Sequence, residues 1–336
     1  MTAVALSAYQ RGALPLSSST GRTLGMWDLA QRHQHLQFWQ TIREIQARLA
    51  PLGAEIAVIK GVATEARWYD ELGERPCTDV DIFLAPDALA DSARVVSALD
   101  PARGCDSTID WLVRRRLLQH VDLRVGNIAV DLHFDPLKIG LPTRQLDEVW
   151  SSTQMLPTPH GTVRVLRPEV ELVLLLLHLN RDRFALLGPF LDIRRIVDRA
   201  DLDWAYLLGF VAEEGLQVPV WKSLAAVAEV LCLAIDVPPV GRARGRTWDR
   251  LWGGHARLQG DDGRQRARRL QMFINLHATG RARENLSELR RQLAPPRQLF
   301  EVAGSLRPGQ SYVQYFVFGR FRPGAANVRL SRDAAC

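Results

Sequence analysis

Lysine is almost missing from this chain. Of 43 basic residues only Lys60, Lys138 and Lys222 are lysines, and the rest are arginines. Such an imbalance reflects genomic base composition and names no partner by itself. Cysteine is scarce too: the four, at 77, 105, 232 and 336, form no C-x-x-C and no zinc spacing. That points away from a thiolate metal centre and toward a reduced, cytoplasmic chain. No apolar run approaches the about 20 residues that cross a bilayer. The longest, Val170 to Leu177, is interrupted by Glu171 and reads as a buried helix, so no membrane partner is expected. Met1 to Leu16 lacks a basic start followed by an apolar core, so no signal peptide is expected. There is no internal repeat.

What is present suits a globular chain. Its 336 residues, 47% hydrophobic, allow two domains or one large one. The net charge is +6, and basic residues crowd between Arg242 and Arg332. That crowding suits either a polyanion-binding face or solvated helix faces.

The pattern predicts a mixed α+β architecture: a small mixed sheet with flanking helices, followed by an α-helical bundle. Residues 1–22 are small and polar and are expected to be loose. Apolar residues recur at helical spacing from Leu24 to Leu49, ended by Pro51 and Gly53. Ile56–Ile59 is a short buried strand, followed by a Lys60-Gly61 turn and a helix over 62–72. Helices are expected over 86–99 and 110–118. Gly126-Asn127 is a hairpin signal flanked by strict alternation, which pairs Val125 with Ile128, Asp122 with Asp131 and His120 with His133. One face of that hairpin is apolar and the other carries His120, Asp122, Arg124, Asp131 and His133. Residues 148–164 read as a loop. Helices follow over 168–181, 189–199, 201–214 and 218–236, with weaker ones near 246–253, 263–278 and 281–293. The expected units are therefore 1–22, an α/β domain over 23–155, a helical domain over 156–295 and a wrapping segment over 296–336.

The stretch Glu74–Leu84, E-R-P-C-T-D-V-D-I-F-L, holds the strongest chemical signal. Residues i and i+2 of a strand share a face, so Asp79 and Asp81 point the same way. Two carboxylates held that close repel, and a cation between them relieves the repulsion. Oxygen ligands of this kind suit Mg²⁺. At the Lys60-Gly61 turn, the free N–H groups and positive dipole of the following helix make a phosphate site. Gly61 admits a ligand close to the backbone, and Lys60 adds charge.

Together, I-K-G, R-P-C-T-D-V-D-I-F-L, V-D-L-H-F, R-P-E-V-E-L-V-L-L-L-L-H-L and F-L-D-I-R-R resemble an uncharacterised bacterial nucleotidyltransferase family of the polymerase-β-like superfamily. The resemblance runs from about residue 25 to 250. It implies a nucleotidyltransferase core that binds two Mg²⁺ ions through Asp79, Asp81 and Asp131, with ATP as the expected triphosphate. Where the superfamily has Gly-Ser, this chain has Lys-Gly. The resemblance implies that Lys60 and Gly61 bind phosphate and that Arg75 stabilises its charge. It further implies transfer of a nucleoside monophosphate to a hydroxyl of a small molecule, peptide or RNA, with release of pyrophosphate. His133 or Asp192 is the expected general base. Two alternatives stay open: a toxin-like enzyme that modifies tRNA, and a module that binds nucleotide without turnover.

Overall fold

The structure, a computed structural model, describes residues 17–137, 142–182, 184 and 187–239. The helices expected beyond 246, the segment over 296–336, the basic crowding from Arg242 on and most of the expected loose start lie outside the described residues.

Ser17 caps the first helix, α1 (Ser18–Leu49), by accepting a hydrogen bond from the Thr20 amide at 3.2 Å. The helix therefore begins inside the stretch expected to be loose. Phe38, Trp39, Ile42, Ile45 and Leu49 follow helical spacing and are buried. Gly53, at φ 64°, takes the left-handed conformation that ends the segment.

Six strands form one sheet in the order β3-β4-β2-β1-β6-β5. They are β1 (Ile56–Ile59), β2 (Val80–Leu84), β3 (His120–Val125), β4 (Ile128–His133), β5 (Gln154–Thr158) and β6 (Gly161–Val165). β1 and β2 are buried along their whole length, as central strands covered on both faces are. β1 runs antiparallel to β2 and parallel to β6, and β2 runs parallel to β4. The β3–β4 hairpin has the expected register throughout, including His120 with His133 and Asp122 with Asp131.

Residues 148–164 are not a loop. α5 (Leu146–Ser151) and the β5–β6 hairpin occupy them, and β6 extends the sheet past the boundary expected at 155. Pro157, Pro159 and Gly161 gave the stretch its loop character. Pro157 is tolerated because β5 is an edge strand, where a missing N–H donor costs little.

Alternating side chains divide the core between the two faces of the sheet. Val58, Val80, Ile82, Val130 and Leu132 join α1, α3 (Ser92–Leu99) and α4 (Ser107–Arg114). Ala57, Ile59 and Phe83 join α6 (Pro168–Arg181), α7 (Leu187–Arg199), α8 (Trp204–Glu213) and α9 (Gln217–Leu231). α6 is buried almost all round, so it forms the centre of the helical half. By strand alternation, Asp81, Asp131 and His133 belong to the face that the helical half partly covers.

Buried acids connect these layers at α2 (Gly61–Trp68), which is shorter than the helix expected over 62–72. Glu171 on α6 accepts from Thr64 Oγ1 at 2.7 Å and from Trp68 Nε1 at 3.0 Å. Glu65 accepts from the backbone N–H groups of Gly73 at 2.8 Å and Arg75 at 3.2 Å, and its other oxygen meets His35 of α1. Glu65→Ala would leave both amides without a partner inside the protein. Its expected cost is about 2–6 kcal/mol, at about 1–3 kcal/mol per unsatisfied group. Urea denaturation would read it, and an unchanged midpoint would remove Glu65 as the latch of this loop.

Candidate active site

The site begins with one backbone oddity. Lys60 lies between β1 and α2 at φ 49° and ψ −141°, on the side of the backbone map where non-glycine residues are strained by about 1–3 kcal/mol. Its side chain turns inward and is about 90% buried, and Nζ donates to Asp81 Oδ1 at 2.7 Å. His133 Nε2 lies 2.8 Å from the same oxygen and 3.3 Å from Lys60 Nζ. Burial alone would raise the Asp81 carboxyl. The Lys60 ammonium and the His133 contact instead hold it far below the usual carboxylate range. Burial, joined by the Lys60 charge, pushes His133 down to about 3. His133 is thus a neutral imidazole that donates through Nε2 to Asp81, and its Nδ1 has no partner among the described residues.

Asp131 is the register partner of Asp81 on the adjacent parallel strand. Ligand atoms of Asp81, Asp131 and His133 lie within 4.8 Å of one another. Among the described residues Asp131 has neither a hydrogen bond nor an ion pair. Burial, then the charges of Asp81 and Asp122, raise its carboxyl to about 6. Asp79, one residue before β2, accepts from Thr78 Oγ1 at 3.2 Å and stands outside this group. Burial and the Asp81 charge raise it as well. One of the three acids is therefore paired directly with a buried cation, while burial and neighbouring acids dominate at the other two.

Gly61 opens α2 beside them. A Cβ there would lie 3.3 Å from Cys77 Sγ and 3.5 Å from Arg75 Nη1, so the guanidinium borders the glycine. Arg75 is anchored from the helical half: Nε lies 2.9 Å from Asp192 Oδ1, and Nη2 lies 2.8 Å from Oδ2. The Tyr69 hydroxyl donates to Asp192 Oδ1 at 2.7 Å. Asp192 is fully buried and engaged on both oxygens, so it holds Arg75 in position. The sequence contained both residues, but nothing in it showed that they pair across more than a hundred positions.

A mixed sheet carrying these acids beside a glycine turn is in line with a nucleotidyltransferase core. A model of an uncharacterised nucleotidyltransferase family matches residues 24–231, and the chain belongs to that family. No curated protein and no solved structure matches it. Membership supports nucleotidyl transfer as the general activity.

The acids should differ in their effect on stability. Asp81→Asn would leave the buried Lys60 ammonium unpaired, an expected loss of about 3–5 kcal/mol. Asp131→Asn removes uncompensated charge and should raise the melting point by a few degrees, at about 2–4 °C per kcal/mol in a chain of this size. Asp131 ionises near its ordinary value when unfolded and near 6 when folded, so its contribution to stability falls as pH rises from about 4 to 6. The asparagine variant should flatten that part of the pH curve. Equal melting shifts of the same sign for both variants would contradict this account.

Proposed function

We propose that this chain is a divalent-metal-dependent enzyme that transfers a nucleoside monophosphate from a nucleoside triphosphate, ATP first, to a hydroxyl group. The observation that carries this reading is the alignment of Asp81 with Asp131 on neighbouring strands, with the Lys60-Gly61 turn at the end of the next strand. The donor set fits a hard cation. It offers carboxylate oxygens, and Asp131 has no partner among the described residues. Asp79, Asp81 and Asp131 would hold Mg²⁺, two ions in the full site. When bound, the metal lowers the acceptor hydroxyl's pKa and draws charge from the α-phosphate.

The chain's own groups do the rest. The amides at the start of α2 and the Arg75 guanidinium meet the β- and γ-phosphates. Lys60 keeps Asp81 ionised from behind, and His133 fixes the orientation of that carboxylate. The acceptor oxygen bonds to the α-phosphorus, the bond to the β-phosphate oxygen breaks, and pyrophosphate leaves. The hydroxyl proton passes to water, so no side chain needs to act as general base. The acceptor is a small molecule, a peptide or an RNA.

The test uses the full chain with Mg²⁺, each of the four α-³²P-labelled ribonucleoside triphosphates, and separated small-molecule, peptide and RNA fractions. Label should pass to one fraction only when metal is present. Asp131→Asn should lower transfer on the order of 10³-fold, since a metal ligand carries several kcal/mol of charge stabilisation. If no triphosphate binds with metal, and Asp79→Asn changes nothing, the proposal falls.

A further inference from the structure

The β3–β4 hairpin brings H-x-D and D-x-H side by side in antiparallel register, His120 opposite His133 and Asp122 opposite Asp131. The two imidazole centroids are 5.3 Å apart. Like charges directly opposite on neighbouring strands are destabilising, so the Asp122–Asp131 rung opposes folding unless a cation joins it. No described cation does so. Arg124, the nearest basic residue on the strand, donates to the Asn127 carbonyl at 3.4 Å. His120 Nε2 lies 3.3 Å from Asp122 Oδ1, and Nδ1 is buried without a partner among the described residues. Ligand atoms of His120, Asp122 and Asp131 lie within 4.8 Å of one another, a group distinct from Asp81, Asp131 and His133 that shares only Asp131 with it. Beside them His133, almost fully buried, has its Nδ1 unsatisfied. The His120 and Asp122 side chains are each more than a third exposed, so an ion from solvent reaches them.

We propose that His120, Asp122 and Asp131 form a second cation site on the outer strands, taking a first-row divalent metal of the Mn²⁺ class. The nitrogen donor sets the choice of metal. A set of carboxylates alone suits Mg²⁺, whereas one imidazole beside two carboxylates shifts preference toward Mn²⁺, Fe²⁺ or Zn²⁺. Asp131 then serves two ions, one toward Asp81 and one toward Asp122. The site lies on the side of Asp131 away from Lys60 and Gly61, and it does not depend on the nucleotidyltransferase reading.

Mn²⁺ is the probe, added to the full metal-free chain without nucleotide. Electron spin-echo spectra of bound Mn²⁺ should show coupling to one imidazole ¹⁴N. His120→Ala and His120→Gln should abolish that coupling and weaken one class of Mn²⁺ site at least about tenfold, the size of effect that follows loss of even an outer-shell partner. Asp122→Asn should weaken the same class, and Arg124→Ala should not. A wild-type spectrum without ¹⁴N coupling, or coupling that persists in both His120 variants, overturns the inference. The nucleotide-transfer assay separates the two ideas. Coupling without any transfer leaves this site standing and removes the enzyme reading, and transfer without coupling does the reverse.

Discussion

The buried contact between Lys60 and Asp81 governs the architecture of the site. Two opposite charges removed from water are tolerated only when they meet at hydrogen-bond distance and their remaining bonding capacity is used. Here the 2.7 Å contact meets the first condition, and the His133 hydrogen bond gives the same oxygen a second partner. It fixes three elements at once, the end of β1, the start of β2 and the end of β4. It also explains why a lysine accepts a backbone conformation better suited to glycine. The strain, about 1–3 kcal/mol, is smaller than the penalty for an unpaired buried carboxylate.

With Asp81 committed to Lys60, the reactive character of the site passes to its neighbours. Asp131 lies one strand away at the same register and forms no ion pair among the described residues, and Asp79 accepts from the hydroxyl of Thr78. A cluster built this way is less stable than its isosteric amide version, a familiar cost where a surface must attract a ligand. The Lys60 ammonium occupies one side of Asp81, and the carboxylate of Asp131 lies on the adjacent strand.

Much of this was legible in the sequence, for identifiable reasons. The β3–β4 register followed from Gly126-Asn127 and strict alternation, because a two-residue turn leaves a single in-register pairing. Asp81 and the Gly61 turn stood out because short motifs carry their own geometry, whereas Asp79, expected on the same strand face, lies just before β2. The β5–β6 hairpin did not: its residues are largely exposed, and its proline and glycine are common in loops. Nor could spacing reveal that Lys60 turns inward to Asp81, since a lysine after a strand reads equally well as a phosphate ligand. The Glu65 and Asp192 latches were hidden for the same reason. Each is a long-range pairing of single polar residues, and no local pattern encodes it.

Those latches show how the helical half can bear on the chemistry without contributing a reacting group. Three residues of α7 hold the loop between α2 and β2: Asp192 binds Arg75, Arg195 meets Glu74, and Arg199 binds Asp70. The exposed Arg199–Asp70 pair adds little on its own. The buried Asp192–Arg75 pair differs, because truncating either partner strands a desolvated charge. The loop it holds leads directly into Asp79 and Asp81, and its arginine borders Gly61. A shift of α7 relative to the sheet would therefore move the Arg75 guanidinium and the entry to the acid strand together. The helices act as the clamp that sets the distance between the two halves of the site.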